Sequence, residues 1–404
     1  MSRGLARLRD SLTLHRNEWG LAGAVVAVVL LTSILDQQHD YWHFPGESAQ
    51  EILRRTAMLG IFALGSAIVI ISGGIDLSSG SVIAFSGTIA AIIMLVLAPE
   101  ALQTAQQPVG NWVIALAIAG ALLTGVAIGS LHAWLITVVG LPPFVATLAT
   151  LVGLRSLGRA AVDFATGRVL GNPRFQIDVS DERFRSLANQ VWVPVMLCAA
   201  IALGLWLLMS RTVIGRHLYA LGGNEEAARL SGIDTNRLKW FAYCTSAVLS
   251  SLAGVLYVGY TSSASPQTLG RGYELNAIAA AVVGGSSLQG GVGSVPGTIL
   301  GVLFLQCVID AIAKIIEQGS DVYEGAIVGM LVVLAVAFNQ FRGARAAGRQ
   351  LFPGSLGAVA GLTLAALAAA VVTFMVGVAA GAVCGTLVLL AILTTKIFDS
   401  HGRR

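Results

Sequence analysis

The sequence predicts an all-α polytopic membrane protein, and three observations carry that prediction. Asp, Glu, Lys and Arg make up only 11% of the 404 residues, against about 25% in soluble domains. Hydrophobic residues reach 55%, and the mean hydropathy is +0.78. Apolar runs recur along the whole chain at close to the ~20 residues that a helix needs to cross a bilayer. A disordered, fibrous or ordinary soluble chain is excluded. The net charge of +4 is no footprint of nucleic-acid binding; it matters through the placement of the arginines.

The elements follow in order. Arg3, Arg7, Arg9 and Arg16 precede an apolar run at 21–35. Polar residues from Asp36 to Trp42 come next, with no small-residue cleavage site, so the run reads as a retained first helix. Residues 1–18 are then a cytoplasmic segment. Further apolar runs at 56–72, 81–98, 112–138, 143–161, 191–209, 240–258, 275–292, 296–316 and 324–341 complete ten crossings. Six crossings return the chain to the cytoplasm at 210–239, which holds Arg211, Arg216, Arg229, Arg237 and Lys239. Ten return it at 342–353, which holds Arg342, Arg345 and Arg349. Both loops obey the positive-inside rule. The loop at 162–190, expected outside, mixes arginines with Asp163, Asp178, Asp181 and Glu182.

Residues 355–395 carry no charge. At 1.5 Å per residue they give about 60 Å of helix, twice the roughly 30 Å hydrocarbon thickness. Basic residues flank the run on both sides, so a two-helix hairpin is expected. Its turn should fall near Gly377–Gly381, its small residues should serve close helix packing, and both chain termini should be cytoplasmic.

The chemistry of an enzyme is missing. The lysines are Lys239, Lys314 and Lys396, and none follows a glycine, so there is no phosphate loop of the Walker type. No zinc-protease, nucleophile-elbow or dinucleotide fingerprint occurs. Cys198, Cys244, Cys307 and Cys384 lack metal-type spacing and read as apolar filler. His132 reads as a helix-packing residue. No catalytic residue, cofactor or metal is therefore expected, and any ATP hydrolysis belongs to a separate subunit. Charges inside the apolar runs are few. Arg155 and Arg159 share a helix face, and Asp310 and Lys314 are placed to neutralise each other at i, i+4 spacing. Both pairs read as structural pairing or snorkelling.

Two glycine-rich breaks echo each other. Gly73-Gly-Ile-Asp-Leu-Ser-Ser-Gly80 and Gly284-Gly-Ser-Ser-Leu-Gln-Gly-Gly291 both read G-G-x-x-L-x-x-G. Internal duplication and chance repetition of glycine-rich membrane sequence both account for this. Irregular backbone inside a membrane is tolerated where protein or water satisfies it. Gly73, Gly74, Asp76, Ser78, Gly284, Gly285, Ser287 and Gly290 are accordingly the candidate residues of a translocation pathway.

The loop at 210–239 contains a second candidate. Asn224 suits an N-cap, Glu225 and Glu226 suit a first helical turn, and Gly232 suits the C′ position. A two-turn helix over 225–231 follows, with Ala227, Leu230 and Ile233 on one side and Glu225 and Arg229 at i, i+4 spacing. It reads either as a docking helix for a partner or as a loop helix resting on its own bundle.

Here the chain resembles a family. The loop Gly223-Asn-Glu-Glu-Ala-Ala-Arg-Leu-Ser-Gly-Ile233 is similar to that of ribose-, xylose- and galactose-type permeases of bacterial ABC importers. Gly73 to Ser81, Leu141-Pro-Pro-Phe-Val-Ala-Thr-Leu148 with Leu154-Arg155, and Gly272-Tyr-Glu-Leu-Asn-Ala-Ile-Ala-Ala280 through Gly291 agree in order and spacing. The resemblance covers about residues 20–342. It implies a ten-helix permease core (19–342) working as a pair of subunits, a homodimer in the simplest case. Two ATPase subunits inside and a periplasmic sugar-binding protein outside would be the partners. Gly223, Asn224, Glu225, Glu226, Ala227, Ala228, Arg229, Leu230 and Gly232 would form the coupling helix on the ATPase. ATP would be bound by that partner, and the location would be the bacterial inner membrane. Asn276 stands where relatives often carry Asp, and the extension at 343–404 exceeds the family's usual length. Two other readings remain: a permease of a neighbouring ABC type carrying branched-chain amino acids, nucleosides or a signalling sugar, or a secondary transporter acting alone.

Overall fold

The computed structural model describes residues 16–36, 39–104, 108–315, 325–330, 333 and 354–401. It divides into two units at Val332/Val333. Among the described residues of the first unit, eight helices are long and apolar enough to cross a bilayer. They are α1 (Arg16–Leu35), α3 (Pro45–Ile71), α4 (Ser79–Leu97), α6 (Asn111–Thr137), α7 (Pro143–Leu170), α9 (Trp192–Arg211), α12 (Thr235–Thr261) and α14 (Val295–Ile315). Short elements join them: α2 (Asp40–His43), α5 (Pro99–Thr104), α8 (Glu182–Asn189), α10 (Val213–Gly223), α11 (Glu225–Leu230) and α13 (Tyr273–Val283).

Local chemistry sets many of the boundaries. Pro45 and Pro143 open α3 and α7 at their first turns, where the missing N–H costs nothing. Gly171, at φ +79°, closes α7. Asp181 caps α8 by accepting from the Phe184 N–H at 2.8 Å. Its other oxygen accepts from the Val109 N–H at 2.7 Å, tying two loops together. A two-residue antiparallel ladder, β1 (Ile177–Asp178) against β2 (Ser263–Ala264), closes the same end. Hydroxyls within the spans bond back to their own helices, as Thr88 does to Ala84 and Thr166 to Val162, both at 2.7 Å. Lipid offers them no other partner.

The core is built around α12, which packs against α3, α4 and α6. Small residues let these helices touch backbone to backbone: a Cβ on Gly87 would sit 2.9 Å from the Gly254 carbonyl oxygen. Close packing of this kind holds helices together where lipid is as apolar as leucine. Outward faces are apolar and bare, as at Leu30, Ile34, Leu123 and Leu203.

One expected crossing takes a different form. The apolar run at 275–292 is the 11-residue helix α13 followed by an irregular stretch. At 1.5 Å per residue, α13 covers about half of the hydrocarbon thickness. It stops because Gly284, Gly285 and Ser286 end the helix, a break that hydropathy alone does not register. The expected tenth crossing at 324–341 lies mostly outside the described residues.

In the second unit, α15 (Gly354–Val376) and α16 (Val378–His401) pack on each other across Gly377, whose φ is +125°. Small residues fill the contact: a Cβ on Gly385 would lie 2.8 Å from that of Ala369 and 3.2 Å from the Ala365 carbonyl.

Candidate functional site

The short helix α11 forms as its cap residues require. Asn224 accepts from the Ala227 N–H at 2.9 Å. Gly232, at φ +83°, closes the helix with bonds from Gly232 N–H to Arg229 and from Ile233 N–H to Ala228. This is a Schellman closure. Only Ala228 is seated inward; Ala227 and Leu230 face out, and Leu230 is 80% exposed. Ile233 is half-buried. The charge pairing differs from the i, i+4 expectation. Arg229 takes both oxygens of Glu226, at 2.8 and 2.9 Å. Glu225 accepts from Lys239 of α12 at 2.6 Å. Arg229 therefore closes the helix on itself, while Glu225 ties it to the bundle.

The segment just before α11 carries the most constrained contact. Gly222 lies between Ile71, the last residue of α3, and Gly291; a Cβ there would run into the Ile71 carbonyl and the Gly291 N–H. The Gly291 N–H donates to the Ile71 carbonyl at 2.9 Å. Gly290, at φ +86°, rests against Gly222 and Gly73. Tyr219 of α10 donates to the Gly293 carbonyl at 2.9 Å. Burial pushes its hydroxyl above the ordinary tyrosine range, so it stays a donor. Both glycine-rich breaks thus meet at the base of α11.

The breaks are also local equivalents, one residue out of step with the sequence echo. Gly73 and Gly285, at φ +84° and +97°, occupy the C′ positions of α3 and α13. Gly73 N–H bonds to Ile70 and Gly74 N–H to Val69; Gly285 N–H bonds to Val282 and Ser286 N–H to Ala281. The two closures have the same form. Gly284 brings α13 against Gly297 of α14. The Ser287 carbonyl accepts from the Gly290 N–H at 2.9 Å.

Asp76 is a buried hub, 2% exposed. One oxygen accepts from the Ser78 N–H at 2.9 Å and the Ser78 hydroxyl at 2.6 Å. The other accepts from the Ser246 hydroxyl of α12 at 2.8 Å. Gly74 lies against the Tyr243 hydroxyl, and the Tyr243 ring meets His132 edge-on at 6.3 Å. His132 joins Thr150 at 2.7 Å. These groups lock the non-helical stretch 74–78 between α4, α6, α7 and α12.

A second non-helical stretch, 265–272, runs through consecutive turns from β2 to α13. Arg155 holds it. Its guanidinium donates to the carbonyls of Pro266, Leu269 and Gly270, each at 3.1 Å. The stretch meets the start of α4, where a Cβ on Gly270 would sit 2.7 Å from the Gly80 carbonyl oxygen. Two interrupted helices thus begin face to face inside the bundle. Transporter sites are commonly built from such breaks. Arg159 serves elsewhere, pairing with Asp163 at 3.0 Å beneath Phe175. Asp310 and Lys314 find partners other than each other. Asp310 accepts from Tyr41 at 2.7 Å, and Lys314 donates to Asp40 at 3.2 Å and Ser48 at 3.0 Å.

At the end of the bundle away from α11, a cavity of about 220 Å³ opens among α3, α12, α13 and α14. Arg55, Tyr257, Tyr260, Tyr273, Asn276 and Gln306 line it. Of these, the sequence drew attention only to the segment carrying Tyr273 and Asn276; the grouping itself was not readable, since the residues come in ones and twos from apolar runs on four helices.

Known proteins place the chain. The family described as the permease component of branched-chain amino acid transport systems matches residues 48–336. A probable ABC transporter permease of Sinorhizobium fredii is 33% identical over 85% of this chain and 95% of its own. The ribose import permease of Haemophilus influenzae is 33% identical over 79% of this chain and 93% of its own. The xylose transport system permease of Escherichia coli is 28% identical over 70% and 82%. No solved structure matches.

Proposed function

The chain belongs to the family of branched-chain amino acid transport permease components, and from that premise we propose that it is the membrane-spanning subunit of an ATP-driven sugar importer. The observation that carries the importer reading is α11: an exposed Leu230 on a capped helix whose base is wedged between the ends of α3 and the 284–294 segment. A helix resting on its own bundle would turn its leucine inward. The sugar reading draws on the ribose and xylose permeases among the relatives.

In this reading the core spans 19–342 in the bacterial inner membrane, with 343–404 as an addition and both termini in the cytoplasm. Two copies form the pathway, a periplasmic binding protein delivers sugar, and α11 docks on an ATPase that holds the ATP. Closure of the ATPase dimer on ATP moves α11. Gly222 transmits that motion to Ile71 and Gly291 because their backbones are in contact and have no slack. The breaks at 73–80 and 284–291 then act as the joint that couples the ATPase to the pathway. Alternation between two packings of the bundle follows.

The test is reconstitution with the cognate ATPase and binding protein in liposomes. Uptake of D-ribose or D-xylose, coupled to ATP hydrolysis and absent for L-leucine, is the expected result. Uptake of leucine alone overturns the sugar reading.

A further inference from the structure

We propose that the cavity between α3, α12, α13 and α14 is a transit site for one monosaccharide within this subunit, an inference that rests on the sugar-import reading. α3 ends, and α12 and α14 begin, at the α11 end of the bundle. Arg55 lies in the earlier half of α3, Tyr257 and Tyr260 in the last turn and a half of α12, and Gln306 in the later half of α14. The cavity therefore sits toward the opposite end, where a binding protein would deliver its cargo. Its volume, about 220 Å³, is below the ~300–1,000 Å³ of pockets for drug-sized ligands. It suits a ligand of five or six carbons.

The lining chemistry is that of a neutral polyol. Tyr260 donates to Glu51 at 2.6 Å, and Arg55 donates to the same Glu51 oxygen at 2.6 Å. Glu51 thus pairs with Arg55, and with Arg54 at 3.3 Å through its other oxygen, while the Arg55 guanidinium keeps N–H groups beyond its contacts with Glu51 and the Tyr260 hydroxyl. Among the described residues, no other charged side chain lines the cavity. A zwitterionic amino acid would find no carboxylate free to hold its ammonium group. Asn276 and Gln306 have no protein hydrogen-bond partner among the described residues. Each amide offers both donors and an acceptor, the match for a hydroxyl that does both. Gln306 is only 7% exposed, so its amide is held inside the protein with a hydrogen-bonding capacity that protein groups leave unused.

The aromatic wall completes the set. Tyr257 and Tyr273 have ring centroids 4.9 Å apart, and Phe62 stacks behind Tyr273 at 6.2 Å with an interplanar angle of 10°. Sugar C–H bonds carry partial positive charge and rest favourably on the negative face of such rings. Tyrosines also gather at membrane interfaces, but Tyr257 is buried and faces no lipid. The contacts are few, as a transporter needs: a ligand held loosely is passed on.

The experiment uses the whole complex in liposomes with D-ribose and 2-deoxy-D-ribose as probes. Gln306→Met and Asn276→Leu keep side-chain volume and remove the amides. Each is expected to lower ribose uptake per ATP hydrolysed about three- to tenfold, the value of one or two neutral hydrogen bonds. Binding-protein-stimulated hydrolysis should persist. The preference for ribose over the deoxy sugar should also shrink, an effect that mere loosening of the fold does not produce. If Asn276→Leu fails to assemble, Gln306→Met alone decides. A wild-type complex that imports ribose while the variants keep both uptake per ATP and deoxy discrimination overturns the site alone. A wild-type complex that imports no sugar overturns the import reading and the site together.

Discussion

The Gly291 N–H donates to the Ile71 carbonyl at 2.9 Å, joining the end of α3 to the far side of the second glycine-rich break. Gly222 lies against that bond, with no room for a side chain. Gly223, its neighbour, has open space. Gly222→Ala is therefore expected to force the α10–α11 segment away from α3. Binding-protein-stimulated ATP hydrolysis should fall at least tenfold, while Gly223→Ala stays near wild type. Equal activity of the two variants in proteoliposomes would mean that the junction transmits nothing.

The ion pairs of α11 define a second expectation. Glu225→Ala with Arg229→Ala breaks both the Lys239 tether and the Glu226 clasp. Exposed pairs contribute about 0–1 kcal/mol each, so membrane insertion and thermal stability should barely move. Stimulated hydrolysis should fall severalfold because α11 loses its fixed angle to α12. Leu230→Ser removes an apolar side chain that would be worth ~1.5–3 kcal/mol if buried on docking. Titration of the ATPase onto the purified permease should show about tenfold weaker binding or more. Unchanged affinity would indicate that this face of α11 docks elsewhere or not at all.

Much of α11 was legible in the sequence because its signals are local: an Asn cap, two acids in the first turn and a glycine at C′. The partner of Glu225 was not, since Lys239 arrives from another helix. The same division holds across the fold. Long apolar runs announce α1, α3, α4, α6 and α9. The half-length of α13 escapes hydropathy because glycine and serine after Val283 end the helix without ending the apolar run. The echo of Gly73 with Gly284 is real at the level of helix closure, yet its register became visible only through the backbone bonds of Gly73 and Gly285. The use of Arg155 needed the 265–272 stretch folded back beside it. Of the amide-and-tyrosine cavity only Asn276 stood out in the sequence, through the resemblance; its assembly was hidden, because four helices each contribute one or two of its residues.

Arg155 supplies a third expectation. It satisfies three carbonyls in a stretch with no helix of its own, inside a medium poor in water. Arg155→Gln cannot span them. Each acceptor left unsatisfied costs about 1–3 kcal/mol, so a fall of several degrees in the melting temperature of the detergent-solubilised protein is expected. Arg155→Lys should recover only part of it, as an ammonium lacks the planar fork. Wild-type melting in Arg155→Gln would show that the stretch holds its shape unaided.

Sidedness gives a fourth. In a background free of Cys198, Cys244, Cys307 and Cys384, Gly223→Cys should react with an impermeant maleimide only from the cytoplasm. Gln176→Cys should react only from the periplasm. Both positions are exposed, so labelling reports topology rather than burial. Reversed labelling would invert the orientation and remove α11 from the reach of any ATPase.

The helices α15 and α16 give the last. They bury small residues against each other, with Gly381 close to the Ala369 carbonyl and Gly385 against Ala369. Their outer positions, such as Leu362, Leu367, Leu387 and Leu390, are exposed and apolar, as lipid-facing surfaces are. The two helices thus satisfy their close packing against each other. The matched family region stops at residue 336, before the hairpin begins. Among the described residues, neither the α11 junction nor the cavity includes any beyond Ile309. Truncation after Gln350 is therefore expected to leave ribose uptake within about twofold of wild type once membrane levels are matched, since it removes none of the named residues of either site. The hairpin would then act as an addition at the lipid boundary. A truncated protein that inserts and binds its ATPase but transports nothing would place α15 and α16 within the transport cycle.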